Sequence, residues 1–261
     1  PMAILVMDED LLTSEIIKQI AESTFSSRTV ILTNCPQETT LKLVVEMPYV
    51  NHFVAFDQPS LRLILNPIVE SIRYEKKCKI EFFMPLESIK TVNINKYSQR
   101  SAFEELAGQT ISKLKVFSSL QNMISTILSE LSMNAFFDAP VDRQTNSKLF
   151  NLMDRCHDVE LPDKDYIEFS AGIHNDWLIF SVTDPYGSLA KEDLLRNLAR
   201  ATTKKGHEQI NMGPGGAGMG TYMIFNMVNH IVFAVDDQQR TTVICSLLLS
   251  RSNREFEARR Q

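Results

Sequence analysis

Short apolar runs alternate with helical patterns in the first 84 residues. Three runs have the length and composition of buried strands: residues 3–8, 29–33 and 51–56. Three longer segments carry apolar residues at helical spacing: residues 10–22, 37–47 and 60–74. Pro67 predicts a kink or a break in the last of them. The alternation predicts a small α/β domain with a parallel sheet over residues 1–84.

The pattern changes after residue 84. The stretch Lys79 to Met84 is strand-like, and the polar residues 85–97 are interpreted as a linker. A second α/β domain is predicted over residues 98–250, followed by a flexible tail at 251–261. The segment 101–139 is helical, in two helices or in one broken near Gly108. The predicted elements that follow are strands at 166–171 and 177–183 in a hairpin, a helix at 191–200, a helix at 221–229, and strands at 231–235 and 241–249.

Composition narrows the functional classes. The chain has 261 residues, 44% of them hydrophobic and 23% charged, which is typical of globular proteins. The net charge of −5 is not concentrated into a basic segment, so nucleic acid is not an expected partner. Without an apolar run of about 18–20 residues, no membrane span is expected. The four cysteines are widely spaced, which favours reduced thiols and a cytoplasmic location.

Glycine is concentrated in one place. Five of the nine glycines are Gly213, Gly215, Gly216, Gly218 and Gly220, directly before a predicted helix. Free amides in such a loop, together with the helix dipole, favour anion binding; a flexible hinge is the alternative. The dinucleotide pattern would need a strand before the glycines, and a P-loop would need Gly-Lys-Ser/Thr. Neither requirement is met.

Two further groups of polar residues stand out. Glu130, Asn134 and Asp138 are spaced four apart and would share one helix face beside an apolar stripe. Such a face can line a site, where Glu130 could act as a base and Asn134 could bind Mg²⁺. It is also what an ordinary solvated face looks like. Asp184 ends a predicted strand before a Pro-Tyr-Gly turn, which is either a binding carboxylate or a simple turn.

In this order, the three groups resemble the boxes of the GHKL, or Bergerat-fold, ATP-binding family. That family includes DNA gyrase, MutL proteins, sensor histidine kinases and anti-sigma-factor serine kinases. The N box, Glu-x-x-x-Asn-Ala, matches Glu130, Asn134 and Ala135, and Asp138 also fits. The adenine-binding aspartate of the family matches Asp184.

The third box extends the resemblance. Gly216, Gly218 and Gly220, with Met219 between the last two, match the glycine box that leads from the lid into a helix. Gly-Met-Gly-Thr-Tyr-Met-Ile is most similar to anti-sigma kinases. The strand threonine that supports the adenine pocket would be Thr241 or Thr242. The loop 201–212 would be the ATP lid, where Lys204 and Lys205 either meet phosphate or are solvated.

The resemblance implies a Bergerat-type α/β two-layer sandwich that binds ATP or ADP with Mg²⁺. Glu130 would be the base, Asn134 would hold Mg²⁺, and Asp184 would bind adenine N6. The family turn Asp-x-Gly-x-Gly is altered, because Tyr186 and Ser188 replace the glycines, although Gly187 can compensate through a shifted turn.

The implied function is that of a bacterial signalling protein. It would be a serine/threonine kinase or ATPase acting on a protein partner; the alternative is a non-catalytic interaction module. None of the five histidines lies on the helices before Glu130, which argues against an ordinary sensor histidine kinase.

The first domain resembles a degenerate response-regulator receiver, and two alignments compete. One places Asp8 in the acidic cluster that ends the first receiver strand, beside Glu9 and Asp10. The other makes Asp8 the phosphoacceptor of a later strand, with Thr33 as the switch threonine and Phe56 in place of the lysine. Either way, three strand–helix repeats stand where a receiver has five. The expected role is stable docking onto the second domain or dimerisation, with a homodimer as one outcome.

Overall fold

The computed structural model describes most of the chain. The described residues are 5–8, 10, 12–23, 29–33, 37–55, 58–73, 79–112, 118–162, 164–203, 220–236 and 239–249. They form a mixed α/β structure with a three-stranded and a five-stranded sheet. The predicted tail at 251–261 lies outside the described residues. No helix within the described residues is long and apolar enough to cross a membrane.

The first sheet is parallel, as the alternation of strands and helices predicts. Its strands are β1 (Leu5–Asp8), β2 (Thr29–Thr33) and β3 (His52–Ala55), in the order β1-β2-β3. The helices are α1 (Ser14–Glu22), α2 (Gln37–Glu46) and α3 (Gln58–Arg73). Helix α3 runs unbroken through Pro67, so the proline does not split it. The middle strand β2 is mostly buried.

The strand order differs between the two receiver alignments. In a doubly wound sheet of order 2-1-3-4-5, the first strand lies between the second and the third. Here β2 is the middle strand, which is the order that three successive strands from the 3-4-5 side would have. The receiver resemblance itself stays a prediction. Thr33, the switch threonine of the second alignment, ends β2 and is buried, with its hydroxyl 3.1 Å from that of Thr40. Phe56 lies outside the described residues.

The second sheet is antiparallel, in the order β4-β5-β6-β8-β7. Its strands are β4 (Lys90–Ile94), β5 (Ile167–His174), β6 (Trp177–Asp184), β7 (His230–Val235) and β8 (Thr241–Leu248). Its helices are α4 (Ser101–Ile111), α5 (Ser118–Met133), α6 (Lys191–Thr203) and α7 (Gly220–Met227). Strands β5 and β6 form the predicted hairpin, and both turn residues, Asn175 and Asp176, have positive φ.

Three expectations around the domain boundary need correction. Residues 79–84 are not a strand: they hold a 3-10 turn, Ile80–Phe82, because Ile80 and Phe83 are both buried at the spacing of one such turn. The predicted linker 85–97 is not a simple connector, since it contains β4, which pairs with β5. Of the two alternatives for residues 101–139, the single helix broken near Gly108 is wrong, because α4 continues through Gly108 to Ile111; two helices, α4 and α5, are present, as the other alternative predicted.

The two central strands of the second sheet are buried on both faces. On β6, Leu178, Phe180 and Val182 belong to the core beneath α4 and α5. The alternate residues Trp177 and Ile179 pack in a different cluster. Residues of β8 divide in the same way, with Cys245 and Leu247 on one face and Ile244 and Leu248 on the other. This follows from the two-residue period of a strand.

The first domain covers the second face. Trp177, Ile179, Ile244 and Leu248 pack in one cluster with Val30, Val54, Leu63, Ile64 and Ile68 of the first domain. Helix α2 packs against α6. The Lys191 ammonium donates to the carbonyl oxygen of Val50 over 3.1 Å and to Asn51 Oδ1 over 2.7 Å. The first domain is therefore docked onto the second, one of the two outcomes expected for it.

This packing predicts how truncation affects stability. A fragment of residues 98–250 loses β4 and exposes the apolar side chains that the first domain covers. We expect it to aggregate, or to melt well below the full chain, because each buried aliphatic side chain contributes about 1.5–3 kcal/mol. A fragment of residues 79–250 keeps β4 and should be intermediate. Thermal denaturation of all three checks this, and equal melting temperatures would contradict it.

Candidate functional site

The first box lies at the end of α5. Residues Asn134–Asp138 form a π-helical turn, in which the Ala139 amide donates to the carbonyl oxygen of Asn134 over 2.8 Å. The predicted apolar stripe is confirmed, since Ile124, Ile127, Leu131 and Ala135 are all buried. The side chains of Glu130, Asn134 and Asp138 are partly exposed. Asp138 is close enough to Glu130 for its charge to raise the pKa of that carboxyl. Such π turns occur often at functional sites.

Asp184 ends β6 and is a buried carboxylate, only 6% exposed. Its Oδ1 accepts a hydrogen bond from the Tyr186 amide over 2.9 Å. Burial raises the pKa of Asp184 to about 6, although the amides of Tyr186 and Gly187, the Thr241 hydroxyl and the charge of Lys148 all oppose that rise. At neutral pH the group is therefore mostly an ionised acceptor inside the protein.

The turn after Asp184 requires glycine at position 187. Gly187 has φ +59°, and an added Cβ would lie 2.6 Å from the backbone carbonyl of Gln239. Both the positive φ and the close approach exclude a side chain. Gly187 therefore supplies the glycine of this turn, while Tyr186 is buried and Ser188 partly exposed.

The two candidate threonines face opposite sides of the sheet. Thr241 is directly opposite Asp184 across the β6–β8 pair, and it is 3% exposed. Its hydroxyl is buried and lowers the pKa of Asp184, but it makes no hydrogen bond of normal geometry within the described residues. Thr242 pairs with Thr183, with 3.1 Å between the two hydroxyl oxygens. Thr241 is thus the threonine that lies beside the buried carboxylate.

The glycine box contacts the segment 130–138 at one described position, Gly220. Gly220 begins α7, and an added Cβ would collide with the Glu130 carboxylate. The start of α7 therefore lies against Glu130 of α5. The other predicted residues of this box and of the lid lie outside the described residues: Gly216, Gly218, Met219, Lys204 and Lys205.

Three further residues contact Asp138 or the turn after Asp184, and none of them was predicted as a site residue: Lys148, Arg155 and Ser188. Arg155 donates to Asp138 Oδ1 over 2.7 Å, and its guanidinium carbon lies 4.7 Å from the centre of the Phe137 ring. Lys148 donates to the carbonyl oxygen of Asp138 and to Ser188 Oγ. The sequence carried no signal for the two cations, which lie in a polar loop without a motif. Ser188 stood out only as a replacement of glycine.

The electrostatics favour protonation of the α5 carboxylates. Burial raises the pKa of Glu130, and the nearby Asp138 raises it further, while Arg155 lowers it. Burial also raises the pKa of Asp138, against the hydrogen bond and charge of Arg155. A carboxylate whose pKa moves towards neutrality is better suited to accept a proton at neutral pH.

A metal held by protein side chains alone finds no support in the described residues. They contain no group of three or more His, Cys, Asp or Glu side chains placed to bind a metal ion. Mg²⁺ is commonly held by one or two protein oxygens together with substrate phosphates. Asn134 fits that second arrangement, since its partly exposed amide follows Glu130 by one helical turn.

Neither a search against protein-family models nor a search of curated proteins found a match to this chain. The functional inference therefore depends on the residues and on their geometry.

Replacement of Gly187 by alanine tests the turn. We expect Gly187→Ala to lower the free energy of unfolding by about 1–3 kcal/mol, because it adds strain at positive φ and a clash with Gln239. Gly108→Ala is the matched control: it meets no atom within 4 Å in α4 and should be neutral or stabilising by up to about 1 kcal/mol. Urea denaturation measures both. Equal effects in the two variants would contradict the assigned role of Gly187.

Proposed function

We propose that residues 98–250 form a Bergerat-type domain of the GHKL family that binds Mg-ATP. One observation carries this proposal. Contacts connect three segments that are distant in the chain: Gly220 lies against the Glu130 carboxylate, and Lys148 and Ser188 join Asp138 and Ala139 to the turn after Asp184. This connection supports the proposal, because the three family boxes would have to lie near one another to bind one nucleotide.

Asp184 is suited to recognise the base. An ionised carboxylate accepts hydrogen bonds only, which matches the amino group at adenine N6 and not the carbonyl oxygen of guanine. Thr241 stands next to it with a buried hydroxyl that a ligand could engage. Because the carboxylate is already buried, few solvent contacts are lost when a base covers it.

The phosphates would lie between α5 and α7. The start of α7 at Gly220 would offer its first backbone amides, which have no acceptor inside the helix, and the positive end of the helix dipole. Asn134 would hold Mg²⁺ together with phosphate oxygens. Glu130, which touches the Gly220 position, would then face the terminal phosphate.

The favoured chemistry is phosphoryl transfer to a serine or threonine of a protein partner, within a signalling system. Glu130 would accept the hydroxyl proton as the oxygen forms its bond to the γ-phosphorus, and ADP would leave with the electrons of the broken bond. With water as the nucleophile the same steps give an ATPase. Catalysis of this type is mostly positioning and charge stabilisation.

A second candidate function is a non-catalytic module that keeps the fold. Two observations favour it: Asp184 already bonds its own turn, and Arg155 engages Asp138. The first domain, whose helices α2 and α3 pack on the second domain, would serve there as a fixed docking element. Homodimerisation stays a prediction.

Nucleotide binding tests the proposal at Asp184. Mg-ATP should raise the melting temperature of the full chain, because a ligand of the native state stabilises it. Asp184→Asn should weaken ATP binding by about tenfold or more, since the amide replaces an acceptor with a donor. Asp176→Asn, in the exposed β5–β6 turn, is the matched control and should bind as wild type does. No thermal shift at millimolar Mg-ATP in folded protein would contradict ATP binding.

Substitution of Glu130 separates binding from chemistry. Glu130→Gln should bind ATP as wild type does but lose about 100-fold or more in turnover, since general-base catalysis typically contributes 10²–10⁴-fold. Glu104→Gln, on the exposed side of α4, is its control. Asn134→Ala should remove the magnesium dependence of ATP binding. ATP hydrolysis and phosphate transfer from labelled ATP measure turnover. Binding without turnover in every form, wild type included, would favour the non-catalytic module.

A further inference from the structure

The end of the α5 polar segment is joined to the turn after Asp184 by side-chain hydrogen bonds. The Lys148 ammonium donates to the carbonyl oxygen of Asp138 and, over 2.9 Å, to Ser188 Oγ. The Ser188 hydroxyl donates to the carbonyl oxygen of Ala139 over 2.7 Å. We call Lys148, Ser188 and these two carbonyl groups the clamp.

The clamp meets a requirement that every helix end has. The last carbonyl groups of a helix lack partners within the helix. Here the carbonyls of Asp138 and Ala139 accept from Lys148 and Ser188, respectively. Because Ser188 follows Asp184 by four residues, the same bonds also fix the turn that carries the buried carboxylate. Two segments 46 residues apart in the chain, at Asp138 and Asp184, are thus held in one arrangement.

We propose that Lys148 is a positioning residue for the nucleotide base: through Ser188, it holds the Asp184 turn at a fixed place relative to Asn134. The proposal rests on the ATP-binding function proposed above. A binding constellation needs such support, because side chains left loose by an ångström lose much of their effect.

Lys148 also acts on Asp184 through its charge. Within the described residues, the groups that act on Asp184 are Tyr186, Thr241, Gly187 and Lys148, and Lys148 supplies the positive charge among them. Lys148 itself is near Asp138, Asp184 and Asp193. Loss of Lys148 should therefore raise the pKa of Asp184 further above about 6. Less of the carboxylate would then be ionised at neutral pH and able to accept from an amino group.

The clamp gives a physical reason for one departure from the family pattern. A glycine at position 188 would have no hydroxyl to donate to Ala139 or to accept from Lys148. Ser188 and Lys148 therefore belong together: the serine hydroxyl is the acceptor that joins Lys148, already bonded to the carbonyl oxygen of Asp138, to the turn after Asp184. The altered turn is in this view a different way to fix the same carboxylate.

Affinities for Mg-ATP and Mg-GTP, measured by calorimetry on the full chain from pH 5 to pH 8, test the proposal. The two nucleotides carry the same phosphates, so the ratio of their affinities isolates the base contact. We expect Lys148→Met to weaken ATP binding about tenfold at pH 7 and to reduce the ratio of the ATP affinity to the GTP affinity. The pH at which ATP binding is half-maximal should also be higher in Lys148→Met than in wild type, and Lys148→Arg should return it to the wild-type value. Ser188→Ala should reduce the affinity ratio and leave that pH nearly unchanged.

Lys90→Met, on the exposed edge strand β4, is the matched control and should change neither quantity. Equal weakening of ATP and GTP in Lys148→Met, with the same midpoint as wild type, would overturn the positioning role. If Lys148→Met does not fold, Ser188→Ala is measured in its place. A ratio of ATP affinity to GTP affinity that is the same in Ser188→Ala as in wild type then overturns the proposal.

A carbon-detected NMR titration of the Asp184 carboxyl, without nucleotide, separates this proposal from the ATP-binding proposal. A higher Asp184 pKa in Lys148→Met than in wild type supports the clamp even if wild type binds no ATP. An unchanged pKa overturns the influence of Lys148 on Asp184, even if wild type binds ATP tightly.

Discussion

The burial of both faces of β6 and β8 is the constraint on which the rest of the structure depends. A strand buried on one face tolerates polar residues on the other, whereas β6 carries apolar residues on both over residues 177–180. Helices α4 and α5 cover one face, and the first domain covers the other. The first domain is therefore part of the core of the molecule, because without it a row of large apolar side chains would meet water.

The candidate site is built at the end of this doubly buried layer. Asp184 is the last residue of β6, and Thr241 is the first of β8, so both lie where the apolar sheet gives way to polar loops. A carboxylate at that border keeps its charge only with help, because burial favours its neutral form. Backbone amides of the turn and the nearby Lys148 provide that help. The same desolvation that costs stability makes each remaining hydrogen bond to the carboxylate stronger.

Much of the fold could be predicted from the sequence, because it depends on local period. Alternating apolar positions correctly indicated the β5–β6 hairpin, and the helical stripe on α5 correctly indicated its buried face. The errors came where tertiary packing overrides local pattern. Residues Lys79–Met84 have strand-like composition but pack as a 3-10 turn, and the polar strand β4 looked like a linker because it is an edge strand paired on one side with β5.

The candidate site could be predicted only in part, because local sequence pattern indicates some of its residues and tertiary packing brings in the others. Glu130, Asp184 and Gly220 could be placed from motifs, since each lies at a defined point of a helix or strand. Lys148 and Arg155 could not, because their positions depend on how the long loop between α5 and β5 folds back, and nothing local in the sequence encodes that path. The choice between Thr241 and Thr242 likewise required the strand register, which decides the face of each side chain.

His52, which is near Lys191 of the second domain, and Asp184 in the candidate site change the stability of the protein with pH in opposite directions. Burial, with a smaller contribution from Lys191, lowers the pKa of His52 to about 4, so the unfolded chain binds more protons there between about pH 4 and 6.5. In that window His52 makes the protein more stable as pH rises. Asp184 has its pKa raised to about 6, so the folded chain binds more protons between about pH 4 and 6, and Asp184 makes the protein less stable as pH rises. The two contributions offset each other in the same window. A weak overall dependence of stability on pH is thus compatible with two strongly perturbed groups, and the ionisation of Asp184 has to be observed at its own carboxyl.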